Sequence, residues 1–221
     1  MKFAALVLVP ALAVSFFAPY AFAGDNKYYS EFVLKHKIND KFDAFFNPEL
    51  RLNDDMGNLY YYSLRGGATY HAHKNLDLSL ASRFIQTKGS NDKWGTDTFY
   101  VPEMIIIPKV TVRGFNLSDA NKFEYRVIEN STDRWVYRNL ATAAYPAKIG
   151  NFEFTPYISD EIYYDFVIEK MNLNWATIGA NKKINKNLTV GLYYRNEASR
   201  KGVTTKWVTN NILGSNITVD F

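Results

Sequence analysis

The sequence predicts an all-β protein: a single antiparallel transmembrane β-barrel of 10–12 strands behind an N-terminal signal peptide. Three observations predict it. Apolar and polar residues alternate with period two through most of the chain, and helical spacing is nearly absent. Most alternating runs have ten or more residues, whereas soluble strands average about 5–6 and a tilted bilayer-spanning strand needs about 9–11. Tight polar turns also alternate with longer links, as periplasmic turns and extracellular loops do in a barrel.

The chain of 221 residues opens with Lys2, an apolar run from Phe3 to Phe17, and Ala21-Phe22-Ala23. A positive start, an apolar stretch and a small-x-small end are the parts of a secretory signal peptide. Pro10 and Pro19 interrupt the run, which is also short for a membrane anchor. The expected division is therefore 1–23 signal peptide and 24–221 barrel. Cleavage removes one charge, Lys2, and lowers the formal net charge from +4 to +3. That balance is too mild, and its basic residues too dispersed, for a nucleic-acid partner.

Eleven strand-like segments follow: 27–37, 42–52, 59–70, 76–86, 98–109, 115–129, 134–145, 152–166, 173–181, 188–197 and 206–221. In the second, Phe42, Ala44, Phe46, Pro48, Leu50 and Leu52 oppose Asp43, Phe45, Asn47, Glu49 and Arg51. The fourth sets Leu76, Leu78, Leu80 and Phe84 against Asp77, Ser79, Ala81 and Arg83. The clearest is 152–166, where Phe152, Phe154, Ile158, Ile162, Tyr164 and Phe166 share a face that only Asp160 breaks. Segment 188–197 sets Leu188, Val190, Leu192 and Tyr194 against Thr189, Tyr193, Arg195 and Glu197. Links 38–40, 73–75, 147–151 and 183–187 read as tight turns. Links 87–97, 130–133, 167–172 and 198–205 read as the longer loops of the opposite rim.

The final segment ends Ile217-Thr218-Val219-Asp220-Phe221, an alternating strand with a terminal aromatic. This is the usual address for the outer-membrane barrel-assembly machinery. If that terminus is periplasmic, all four tight turns are periplasmic too. Eleven segments then start the chain on the outer side, against the even strand count of bacterial barrels.

Composition excludes several chemistries. There is no Cys, which removes disulfides, thiolate metal sites and thiol nucleophiles. The three His, at 36, 71 and 73, all lie beside turns of the periplasmic rim. No Ser–His pair is available at the outer rim for lipid hydrolysis. His71 and His73 read as solvated turn residues. No catalytic residue, metal site or cofactor is expected.

What remains is a charged polar parity that a barrel would turn inward. Its candidate lumen-lining residues are Glu49, Arg51, Arg65, Arg83, Glu124, Arg126, Arg134, Arg138, Glu153, Glu161, Arg195 and Glu197. Counted over the whole polar parity, with Glu31, Asp43, Asp77, Glu103, Asp165, Lys35 and Lys109 added, acids and bases nearly balance. In an open pore such a lining admits small polar solutes with weak selectivity. In a closed barrel the same charges pair and fill a core, with Glu124/Arg126 and Arg134/Arg138 serving as hairpin-stabilising pairs. Tyr28, Tyr60, Tyr62, Trp135, Tyr164, Tyr194 and Trp207 are expected in interfacial girdles.

Three stretches carry a family resemblance. The first runs through Lys122-Phe123-Glu124-Tyr125-Arg126, Asp133-Arg134-Trp135-Val136-Tyr137-Arg138 and Tyr145-Pro146. The second is Thr155-Pro156-Tyr157 to Phe166, and the third joins Lys183-Ile184-Asn185-Lys186-Asn187-Leu188 to Tyr193-Tyr194-Arg195 and the closing strand. Across 25–221 the chain resembles domain-of-unknown-function family 2490, an uncharacterised group of Gram-negative outer-membrane barrels. It is more weakly similar to small monomeric porins for acidic oligosaccharides. The resemblance implies a bacterial outer-membrane location, with membrane lipid, lipopolysaccharide and the assembly machinery as partners. The expected role is a narrow porin-like channel for small polar solutes. A closed structural or assembly barrel ranks second and a lipid-modifying enzyme third.

Overall fold

The computed structural model describes residues 26–89, 92–95, 99–128, 132–200 and 206–221. The expected signal peptide lies outside these residues, as do parts of the three longest links. Eleven long strands form the wall: β1 (Asn26–Lys37), β2 (Phe42–Asn53), β3 (Asn58–His73), β4 (Leu76–Thr87), β5 (Phe99–Val112), β6 (Phe115–Ile128), β7 (Arg134–Ala144), β9 (Phe152–Asp165), β10 (Lys170–Lys183), β11 (Leu188–Ser199) and β12 (Val208–Asp220). A three-residue strand, β8 (Ala147–Ile149), pairs only with the start of β9. It falls where the sequence predicts a turn, because the β7–β9 link folds into a short hairpin of its own.

Neighbours in sequence pair antiparallel around the ring, and β7 pairs β9 directly. The ring closes between β12 and β1, which run parallel from Asn26↔Asn211 to Lys35↔Asp220. The barrel is therefore mixed, not wholly antiparallel. An odd number of up-and-down strands brings the first and last into the same direction, so the eleven-segment count and the parallel seam are one fact. Backbone bonds continue the seam to the rim: Phe221 N–H donates to Lys35 O at 3.0 Å and Lys37 N–H to Phe221 O at 3.2 Å.

The seam makes a prediction. Ser30 and Ser215 are register partners, and both face outward, where Tyr28 and Ser215 share a hydrogen bond of 2.7 Å. Opposed strand residues lie within disulfide reach, and the chain has no competing Cys. Oxidation of the Ser30→Cys/Ser215→Cys protein is expected to give a fast intramolecular cross-link, seen as a shift in non-reducing gels. Leu213→Cys, two residues out of register, should link Ser30→Cys far more slowly. Equal rates for the two pairs would reject the register.

One rim holds the chain end and the tight turns. Arg113 and Gly114 turn β5 into β6 with φ of 51° and 86°, the left-handed pair that a two-residue hairpin requires. In the β1–β2 turn, Lys37 Nζ donates to Asp40 at 2.7 Å, a hydrogen bond that holds this carboxyl below its ordinary range. The opposite rim holds the longer links, although β2 and β3 are also joined there by a tight turn at 54–57.

The wall is apolar outside and polar inside. Leu80 and Leu192 expose 68% and 71% of their surface, and Phe46, Leu50, Met104, Ile158 and Leu213 lie on the same outer face. The inner face buries Tyr29, Tyr61, Tyr163, Trp175 and Tyr193 together with charged groups. Tyr193 sits opposite Gly214, where a Cβ would meet the ring at 2.0 Å, so the missing side chain makes room for the aromatic. The outer parity is not apolar throughout. Asp119, Asn121, Asn139, Asp160 and Asn174 share it on β6–β10 and satisfy one another: Asn139 Nδ2 donates to Asp119 at 2.5 Å and Asn174 Nδ2 to Asp160 at 2.8 Å.

Candidate lumenal site

Alternation on eleven strands turns the charged parity into the lumen, and the pleat fixes which groups meet. Among the described residues, three of the ion pairs there, Lys27–Glu197, Arg65–Glu103 and Lys122–Glu161, join strands that are not neighbours, because long side chains reach over the strand between. Arg65 on β3 donates from Nε to Glu103 on β5 at 2.9 Å, passing over β4. Arg83 on β4 approaches the other Glu103 oxygen at 3.0 Å. Lys122 on β6 donates to Glu161 on β9 at 3.0 Å, passing over β7.

Arg138 on β7 is the centre of the largest network. It is 4% exposed. Its Nη1 donates to Glu124, and its Nη2 and Nε donate to Glu161 Oε1 at 2.8 and 3.1 Å. Glu124 also accepts from Arg126 at 2.7 Å, and the Arg138 guanidinium lies 4.4 Å from the Tyr163 ring centre. Of the charges expected to stabilise the β6–β7 hairpin, Glu124 pairs with Arg138 across it. Glu124 and Arg126 pair as neighbours on one strand face, while Arg134 pairs with Asp165 on β9 at 3.1 Å.

Toward the longer-link rim a second network crosses the lumen. Glu197 on β11 accepts from Lys27 at 2.9 Å, Trp175 Nε1 at 3.0 Å, Asn210 at 3.0 Å and Tyr29 at 3.3 Å. Arg51 on β2 donates to Glu49 at 2.6 Å and packs against three rings: Tyr61 at 4.0 Å, Tyr29 at 4.5 Å and Trp175 at 5.2 Å. β2 and β10 stand four places apart around the ring, so Arg51 and Trp175 meet across the barrel. Tyr60 joins this cluster through its hydroxyl, 3.0 Å from that of Tyr29. The sequence places Tyr60 in an outer girdle. An irregularity in the β2–β3 register, at Arg51/Leu52, shifts the parity there and takes it inside.

Between the networks lies a cavity of about 240 Å³. Its cations are Arg51, Arg65, Arg83, Lys122, Arg138 and Arg195, and its carboxylates are Glu31, Glu49 and Glu161. Arg195 is stacked between Trp175 at 4.3 Å and Tyr193 at 4.8 Å, and donates from Nε to Thr177 Oγ1 at 3.0 Å. A shallower apolar groove on the outer wall, beside Leu78, Leu80 and Met104, carries none of these groups.

Of the candidates read from sequence, the structure brings Glu49, Arg51, Arg65, Arg83, Arg138, Glu161 and Arg195 to the cavity. Glu124, Arg126, Arg134, Arg138 and Glu197 join the surrounding networks. Glu153 is a correction. Its side chain is 71% exposed on the β8–β9 hairpin, where it pairs with Lys148, because that hairpin sits at the turn rim. Lys122 is the main omission. Its parity with Glu124 and Arg126 was available as a signal. His71 also differs from the solvated residue expected. Its two ring nitrogens lie 2.8 Å from Asp77 and 2.9 Å from Asp43, and Asp77 accepts from Lys109 at 2.7 Å. Register sets Asp77 opposite His71 across the β3–β4 turn, and β2 brings Asp43 to its other nitrogen.

A family model described as "Protein of unknown function (DUF2490)" matches residues 26–207. The chain belongs to this family. No curated protein matches it.

Proposed function

We propose that this DUF2490 barrel, with residues 1–23 removed on export, sits in a bacterial outer membrane as a narrow passage for small polar solutes. The observation that carries the reading is the charged cavity held at mid-lumen inside a wall whose outer face is largely apolar. Wall strands of 11–16 residues are long enough to cross a bilayer at a tilt. Eight strands leave an interior filled by side chains and sixteen leave an aqueous channel. Eleven lie between, and the lumenal networks narrow that interior to a path for small solutes only. Membrane lipid and lipopolysaccharide surround the wall in this reading. The strand ending at Phe221 is what the assembly machinery engages. The reading assigns the lumen passage and no catalysis.

A closed structural barrel is favoured by one observation, the Glu197 cluster that ties β10, β11, β12 and β1 together inside the lumen. Liposome swelling separates the two. Proteoliposomes are expected to admit solutes of amino-acid size and exclude trisaccharides. Swelling no faster than in protein-free liposomes for every solute would overturn passage and leave the structural role.

A further inference from the structure

We propose that the mid-lumen cavity is a binding site for a small oxyanion, a carboxylate- or phosphate-bearing solute, held by Arg195 and Tyr193. The inference deepens the passage reading and rests on it, since the ligand must enter along the lumen.

Charge comes first. Six cations and three carboxylates line the cavity. The adjoining carboxylates do not make up the difference. Glu103 already serves Arg65 and Arg83, while Glu124 and Glu161 share Arg126, Arg138 and Lys122. With Glu103, Glu124 and Arg126 included, seven cations still face five carboxylates. An uncompensated charge in a protein interior is costly, and an anion in the cavity relieves that cost.

The unused donors come second. Among the described residues Arg195 makes no ion pair, and its Nη1 is buried with no hydrogen-bond partner. The Tyr193 hydroxyl, on a side chain 6% exposed, is buried and unpartnered as well. Both residues line the cavity. Stacking on Trp175 and Tyr193 holds the Arg195 plane in place. A guanidinium fixed in this way presents parallel N–H groups that match a planar carboxylate or a phosphate edge. The Tyr193 hydroxyl supplies a further donor.

Size and the third carboxylate narrow the ligand. About 240 Å³ is below the roughly 300–1,000 Å³ of a drug-sized pocket. Glu31 lines the cavity in no ion pair with another described residue, and a carboxyl on the lining disfavours a polyanion. The fit is to a compact solute with one or two negative charges.

The test is calorimetric titration of the refolded barrel in uncharged detergent micelles with inorganic phosphate and with succinate. Choline, a cation of similar size, is the counter-probe. Saturable binding of at least one anion is expected, with none for choline. Arg195→Gln should weaken it by about tenfold or more. Tyr193→Phe keeps the ring over Gly214 and removes only the hydroxyl, so it should fold normally and weaken binding severalfold. No anion binding to a correctly folded barrel, or equal binding by wild type and both variants, would overturn the site. Swelling without anion binding removes the site and leaves the passage. Binding without swelling removes the passage and leaves the site.

Discussion

Replacing Arg138 by methionine is expected to lower the stability of the folded barrel by about 3 kcal/mol, read as the shift in its urea unfolding transition. Methionine fills much of the same volume, so the loss is electrostatic. Glu124 and Glu161 both rely on the Arg138 guanidinium from positions that are almost fully buried. Removing one partner of such a network strands the others, a change that typically costs about 3–5 kcal/mol. The lower end applies because Arg126 still serves Glu124 and Lys122 still serves Glu161. Arg138→Lys, which restores a cation but not the forked guanidinium, should recover only part of the loss. An Arg138→Met variant as stable as wild type would show that the network does not hold the lumen together.

Removing Glu49 and Arg51 together, as Glu49→Ala/Arg51→Ala, is expected to raise single-channel conductance severalfold. The double change leaves net charge untouched, so it reports on space. Arg51 fills the gap among Tyr29, Tyr61 and Trp175 where side chains from β1, β2, β3 and β10 meet across the lumen. Without it, no guanidinium fills the gap among those three rings. Unchanged conductance would place the constriction elsewhere, at the Glu197 cluster or in the longer links.

The wall was legible in the sequence for a physical reason. Each strand divides two media, and the alternation that this demands is local and continuous. All eleven long strands fall within a few residues of the alternating runs. The parallel seam was not legible, because nothing in the local pattern of β1 names β12 as its neighbour. The odd count was its only trace. Period two also fails where the pleat is interrupted. The register irregularity beside Arg51 takes Tyr60 into the lumen, and the β8–β9 hairpin carries Glu153 out of it. The lumenal residues were legible as a set, since parity alone selects them. Their partners were not. Arg65 finds Glu103 and Lys122 finds Glu161 by reaching over an intervening strand, which no hairpin rule anticipates. For the same reason a near-balanced count of charges along the chain hid a mid-lumen in which cations outnumber carboxylates. The polar group Asp119, Asn121, Asn139, Asp160 and Asn174 breaks the outer parity. Only Asp160 stood out from its strand, because the rest lie on runs where tyrosines and alanines blur the alternation.

The central claim is a narrow lumen with a positive waist. Single-channel recording of the refolded protein in a planar bilayer, with a salt gradient across it, tests that claim most directly. Small, discrete steps and a reversal potential displaced toward that of the anion are expected. Large porin-like steps, a reversal potential displaced toward the cation, or a folded barrel that never conducts would contradict it.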